Sequence, residues 1–228
     1  MRGFLLIFYA AISALFADTA QAADQQCIDV FQGRSSYPRV NVQMVPLSTT
    51  VQYDRTLDRQ QLKQKSQGQI ALHSHSVING LTVGNLRSGI KGNFSVATLT
   101  DGSTCVWPSL VEFQLGYSSM VVYVAREFAP GSCQYDVTLR HEREHVKIND
   151  QTLRSHVPAV KNDLVAAIAR DFPKRYRSSG DISRLAISTM KSTFERSVAN
   201  LVVDRNSLHG ELDSPESYRY WQSLCDRW

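Results

Sequence analysis

His141-Glu142-Arg143-Glu144-His145 places two imidazoles four residues apart, with a carboxylate directly after the first. On an α-helix, positions i and i+4 share a face, so both rings can reach one zinc ion. Glu142 can then reach a water held in the metal's open position and take its proton. The bland alternative is a solvated charged helix, Arg140 to His145, whose two imidazoles are merely exposed.

A catalytic zinc takes three protein ligands and leaves a fourth position open, so a third donor is required. His156 stands eleven residues after His145. On one helix that is about 16 Å of rise, too far to share an ion. Ile148 and Gln151 occupy the positions where a metzincin carries its Gly and third His, which excludes that arrangement. The remaining donors lie further on: Glu195, Asp204, His209, Glu211, Asp213 and Glu216. Among these, His209 is the first choice and Glu195 the next. Gly210 can end a helix there, leaving His209 on an irregular exit with Asp204 as its carboxylate partner. The alternative for His209 is a helix-terminal imidazole that complements the dipole. Tyr218, Tyr220 and Arg205 are oxyanion donors by position only.

HExxH, an apolar leader, a β-rich first half and Asp204-Arg205-Asn206-Ser207-Leu208-His209-Gly210 together resemble a bacterial family described as secreted zinc-dependent proteases, otherwise a domain of unknown function. The likeness also takes in Tyr53 to Leu62 loosely, and the strands from Cys105. Ser207 stands where the family has Thr, and Glu144 where it commonly has a small residue, so the chain reads as a divergent member. The resemblance implies a zincin-like fold and zinc hydrolase chemistry.

The helical reading of His141–His145 rests on Val137, His141, Glu144/His145 and Ile148, which recur at three to four residues. One helix is expected from Tyr135 to about Ser155. A second starts at Pro158 and stops before Pro173, and a third is capped by Asp181 with an apolar stripe from Ile182 to Val202. The first half alternates with period two. Strands are expected over Val40–Met44, Thr49–Tyr53, Gln69–Ile78, Asn93–Leu99, Cys105–Gly116 and Met120–Glu127. Asn79-Gly80, Thr100–Ser103 and Gly116–Ser119 supply hairpin turns. Leu57–Ser66 reads as a short helix capped by Thr56. The expected fold is α+β: an antiparallel β-rich part (23–130) and a helical part (131–228) of one zincin-like domain, with HExxH on the first long helix.

His73 and His75 share one side of a strand and form either a second metal site or a polar outward face. Lys174-Arg175-Tyr176-Arg177 reads as a solvated interhelical loop. Cys27, Cys105, Cys133 and Cys225 form an even set of four, which favours two disulfides. The natural pairing is Cys105 with Cys133 and Cys27 with Cys225.

Arg2, the apolar run Phe4–Phe16 and Ala20-Gln21-Ala22 read as a signal peptide, residues 1–22. Export to the periplasm or beyond follows, with no transmembrane anchor after cleavage. The net charge of +4 is too small for a nucleic-acid signature. The expected function is an exported zinc metallopeptidase with Zn2+ on His141, His145 and His209 and Glu142 as general base. Its partner is a peptide or protein substrate, with cell-envelope material as the close alternative. The rival is a non-catalytic exported interaction module, with or without zinc.

Overall fold

Two long strands and two long helices carry the architecture. A computed structural model describes residues 18–32, 40–47, 49–67, 77–177 and 180–228. In chain order these form α1 (Asp18–Gln32), β1 (Asn41–Val45), β2 (Val51–Asp54), α2 (Arg59–Ser66), β3 (Gly80–Thr98), β4 (Thr104–Val124), α3 (Cys133–Asp171), β5 (Lys174–Tyr176), α4 (Ile182–Leu212) and α5 (Pro215–Ser223). The leader's apolar run and His73-Ser74-His75 lie outside the described residues, as does most of the expected strand Gln69–Ile78. The expected cleavage point after Ala22 falls within α1.

β4 is the spine. β3 runs antiparallel along one edge of it for the full hairpin, closed at Thr100–Ser103 with Gly102 at φ 81°. That leaves a single edge for every other strand. β5, β1 and β2 therefore follow one another along it, at Thr104–Val106, Leu110–Gln114 and Met120–Tyr123. β1 and β2 pair parallel to β4 and β5 antiparallel, so the sheet is mixed, not antiparallel throughout. Gly116–Ser119 is no turn: it lies inside β4, where a register shift between Asn85 and Leu86 absorbs the extra residue. Lys174–Arg177 is likewise no solvated loop, since Arg175 pairs with Cys105 in register and donates to Ser103 Oγ at 2.6 Å.

The core lies between this sheet and the helices. Val106, Val111, Phe113 and Leu115 of β4 meet Val160, Leu164 and Ile168 of α3 and Met190, Phe194 and Leu201 of α4. Phe31 of α1 joins the same cluster, an element that the sequence reading passes over. A smaller cluster under α2 gathers Leu62, Leu81, Val124 and Phe128. The cap of α2 is Asp58, not Thr56; it forms a reciprocal capping box with Gln61.

α3 is one helix of 39 residues, with Pro158 inside it. A proline costs the bond to the carbonyl four residues earlier. Here the apolar face from Val160 to Ile168 continues on the sheet, and burial of that face holds the second part in line. The disulfides are Cys27–Cys105 and Cys133–Cys225, correcting the expected pairing. The first joins α1 to the head of β4, and the second ties the start of α3 to the chain just after α5.

Candidate metal centre

The buried face of α3 changes character along its length. From Thr138 it is polar, through His141, Glu142, His145, Asn149 and Thr152; from Val160 it is apolar. Burying that many polar groups is costly unless each finds a partner, so the stripe calls for a chemical explanation. It lies against β3 on one side and the junction of α4 and α5 on the other.

Asp213 caps the C-terminus of α4, and Ser214 caps α5 immediately afterwards. This tight junction brings the Asp213 carboxylate onto the two imidazoles. Oδ1 of Asp213 lies 3.1 Å from Nε2 of His141 and 3.2 Å from Nε2 of His145. The two Nε2 atoms are 3.2 Å apart. His141, His145 and Asp213 thus form a buried group that can hold a metal ion. Ligands at about 2.0–2.1 Å from a tetrahedral ion are spaced about 3.3 Å from one another, close to the edges of this triangle. Two imidazoles and a carboxylate are also a familiar donor set for a catalytic divalent ion.

The electrostatics fit a carboxylate facing two imidazoles. Burial works to raise the pKa of Asp213, yet hydrogen bonds to His141 and His145 hold it well below the usual carboxylate range. Burial disfavours charge on His145, but the Asp213 bond and the Glu142 and Asp213 charges outweigh it, so its pKa rises.

Glu142 is buried beside them. Desolvation pushes its carboxyl up, against the pull of His145, His141 and Thr82. The Thr82 hydroxyl of β3 lies 2.8 Å from Oε2 and steadies it. Gly80, at the head of β3, makes the room: a Cβ there would sit 2.6 Å from Oε1 of Glu142 and 2.7 Å from Cγ2 of Thr138. Asn79-Gly80 is therefore not a hairpin turn but the close approach of a strand to an acidic side chain.

α5 covers the triad. The Tyr218 ring lies 5.5 Å from that of His141, and Trp221 meets the same imidazole edge-on at 5.4 Å. The Tyr218 hydroxyl is 3.3 Å from Oδ1 of Asp213. Burial and the nearby carboxylates push its pKa well up, so it stays a donor. Under this cover His141, Glu142 and His145 are only 6%, 4% and 8% exposed. Nδ1 of His141 is buried without a hydrogen-bond partner.

The other expected donors lie elsewhere. His209 is not on an irregular exit, because α4 runs through Gly210 to Leu212. Its Nδ1 lies 2.8 Å from Nδ1 of His145, on the side of that ring away from Asp213. Its Nε2 is 3.1 Å from Oδ1 of Asn149. Burial, His145 and Arg205 lower its pKa to about 4, so the ring is neutral. Asp204 pairs with His156 at 2.9 Å rather than with His209. Glu195 is exposed beside Lys191, and its 18 residues before Asp213 amount to about 27 Å of helix. Asp213 itself stands among the candidates of the helix exit, but without a signal for where α4 ends. Leu212-Asp213-Ser214-Pro215 contains that signal, a Ser cap followed by Pro at the first helical position.

No protein-family model matches this chain, and no curated protein or solved structure is found similar to it.

Proposed function

We propose that the protein is an exported zinc-dependent hydrolase, a metallopeptidase in which His141, His145 and Asp213 hold the ion and Glu142 is the general base. The observation that carries this reading is the convergence of three donor atoms with a desolvated carboxylate one residue from the first imidazole. Zinc held there supplies Lewis acidity and lowers the pKa of water towards neutrality. Glu142 accepts the proton of the attacking water at its carboxylate and delivers it to the leaving amine. Its raised pKa matches that double duty better than an exposed glutamate would. Thr82 restrains Oε2, and Oε1 lies against Gly80, so the carboxylate is held in one orientation. The protonated Tyr218 phenol, 3.3 Å from Oδ1 of Asp213, serves the oxyanion once α5 shifts to admit substrate.

Two disulfides support export to an oxidising compartment. No helix among the described residues is long and apolar enough to cross a membrane. A peptide or protein is the substrate, with an amide of cell-envelope material as the alternative.

A second reading is a structural ion in a non-catalytic interaction module, favoured by the burial of the triad beneath Tyr218 and Trp221. The two part on Glu142→Gln. The hydrolase predicts a loss of peptide hydrolysis of at least a hundredfold with stoichiometric zinc retained. Unchanged behaviour of that variant in every assay overturns the hydrolase.

A further inference from the structure

The contacts behind His145 form a chain whose polarity is set by the Asn149 amide. The Tyr117 O–H donates to Oδ1 of Asn149, 2.8 Å away. That same oxygen lies 3.1 Å from Nε2 of His209 and can only accept, so Nε2 carries the proton. A neutral imidazole has one N–H, which leaves Nδ1 of His209 bare. Nδ1 of His145, at 2.8 Å, must then donate to it. In neutral His145 the opposite nitrogen, facing Asp213 and His141, then carries the lone pair that an ion would take in place of the proton shared with Asp213.

We propose that Tyr117, Asn149 and His209 are positioning residues that fix His145 in the Nδ1–H form, and that His209 is not a ligand. This rests on the metal reading of the triad for its purpose but not for its geometry. If the Asn149 amide were turned over, its NH2 would face both neighbours and every proton would reverse. Nε2 of His145 would then be protonated and unable to bind. Sequence spacing supports the arrangement: Asn149 follows His145 by four residues, so one helix face presents both the ligand and the group that anchors its support. His141 has no such support, since its Nδ1 finds no partner. Ligating imidazoles usually donate their second N–H, and losing that partner typically costs ten- to a hundredfold in metal affinity.

The test uses protein labelled with 15N at histidine, first metal-free and then loaded with 113Cd. In metal-free protein, the ring nitrogen shifts should show His209 as the Nε2–H form. With cadmium, coupling should appear at Nε2 of His141 and of His145 and be absent at His209. Asn149→Leu should weaken cadmium binding ten- to a hundredfold, and Asn149→Asp, which keeps an acceptor, should stay within about threefold. His209→Gln, which offers an acceptor to His145, should bind better than His209→Leu. Cadmium coupling at His209, or an Nδ1–H form of His209 in metal-free protein, overturns the proposal. Failure to bind cadmium at all contradicts the metal reading alone, because the His209 form is still read without it.

Discussion

Oδ1 of Asp213 lies 3.1 Å from Nε2 of His141 across 72 residues of chain. The contact exists because α4 ends one residue before Asp213 and α5 begins two residues after it, which turns that carboxylate inward. The candidate site therefore depends on a helix end as much as on the HExxH motif.

The glycine at the head of β3 gives the first prediction. Gly80→Ala places a methyl 2.6 Å from Oε1 of Glu142, and the carboxylate must move. Hydrolysis should fall at least tenfold while zinc content is unchanged, because the triad does not touch Gly80. Steady-state kinetics paired with metal analysis checks this. Equal loss of zinc and activity would place Gly80 in the support of the whole site.

A second prediction concerns acid. His209 has a pKa of about 4 in the fold against 6.5 when unperturbed. Between those values the unfolded chain binds a proton that the folded chain refuses, so stability falls as pH drops from about 6.5 to about 4 and then levels off for this group. Asp213 acts in the same direction at lower pH: its depressed pKa gives stability that is lost as its carboxylate is protonated. Glu142 and His145, whose pKa values are raised, act in the opposite direction, so the His209 contribution is the difference in urea midpoints between chelated wild type and His209→Gln, which should narrow as pH falls from about 6.5 to about 4.

The two disulfides should differ in what they hold. They close separations of 78 and 92 residues, for which chain entropy alone gives about 4.5 kcal/mol each. Cys27 and Cys105 are fully buried in the main core, whereas α5, held by Cys133–Cys225, has no buried residue. Replacing Cys27 and Cys105 by Ser should lower global stability by about 2–5 kcal/mol. Replacing Cys133 and Cys225 should mainly free α5, seen as proteolysis within 214–228 ahead of the rest of the chain.

Much of the candidate site was legible in the sequence. Helical spacing around His141 and His145, the Asp181 cap and the Thr100–Ser103 hairpin needed only local information, and the structure has each of them. What escaped depended on distant packing. Gly116–Ser119 has turn chemistry, but full-length pairing with β3 keeps it extended. Pro158 marks a helix start by local rule, yet the apolar face beyond it is held in line by the sheet. His209-Gly210 looks like a helix end, but helical hydrogen bonding continues past the glycine to Leu212. That difference of one turn puts His209 behind His145 and leaves the triad to Asp213.

Metal titration of wild-type protein alongside Asp213→Ala tests the centre most directly. Wild type, stripped and titrated with zinc, should bind one ion per chain, and so should Glu142→Gln. Asp213→Ala should lose at least a hundredfold in affinity, while Glu195→Ala should match wild type. Stoichiometric zinc binding that survives Asp213→Ala unchanged, or no stoichiometric binding by the wild type, would contradict a centre built from His141, His145 and Asp213.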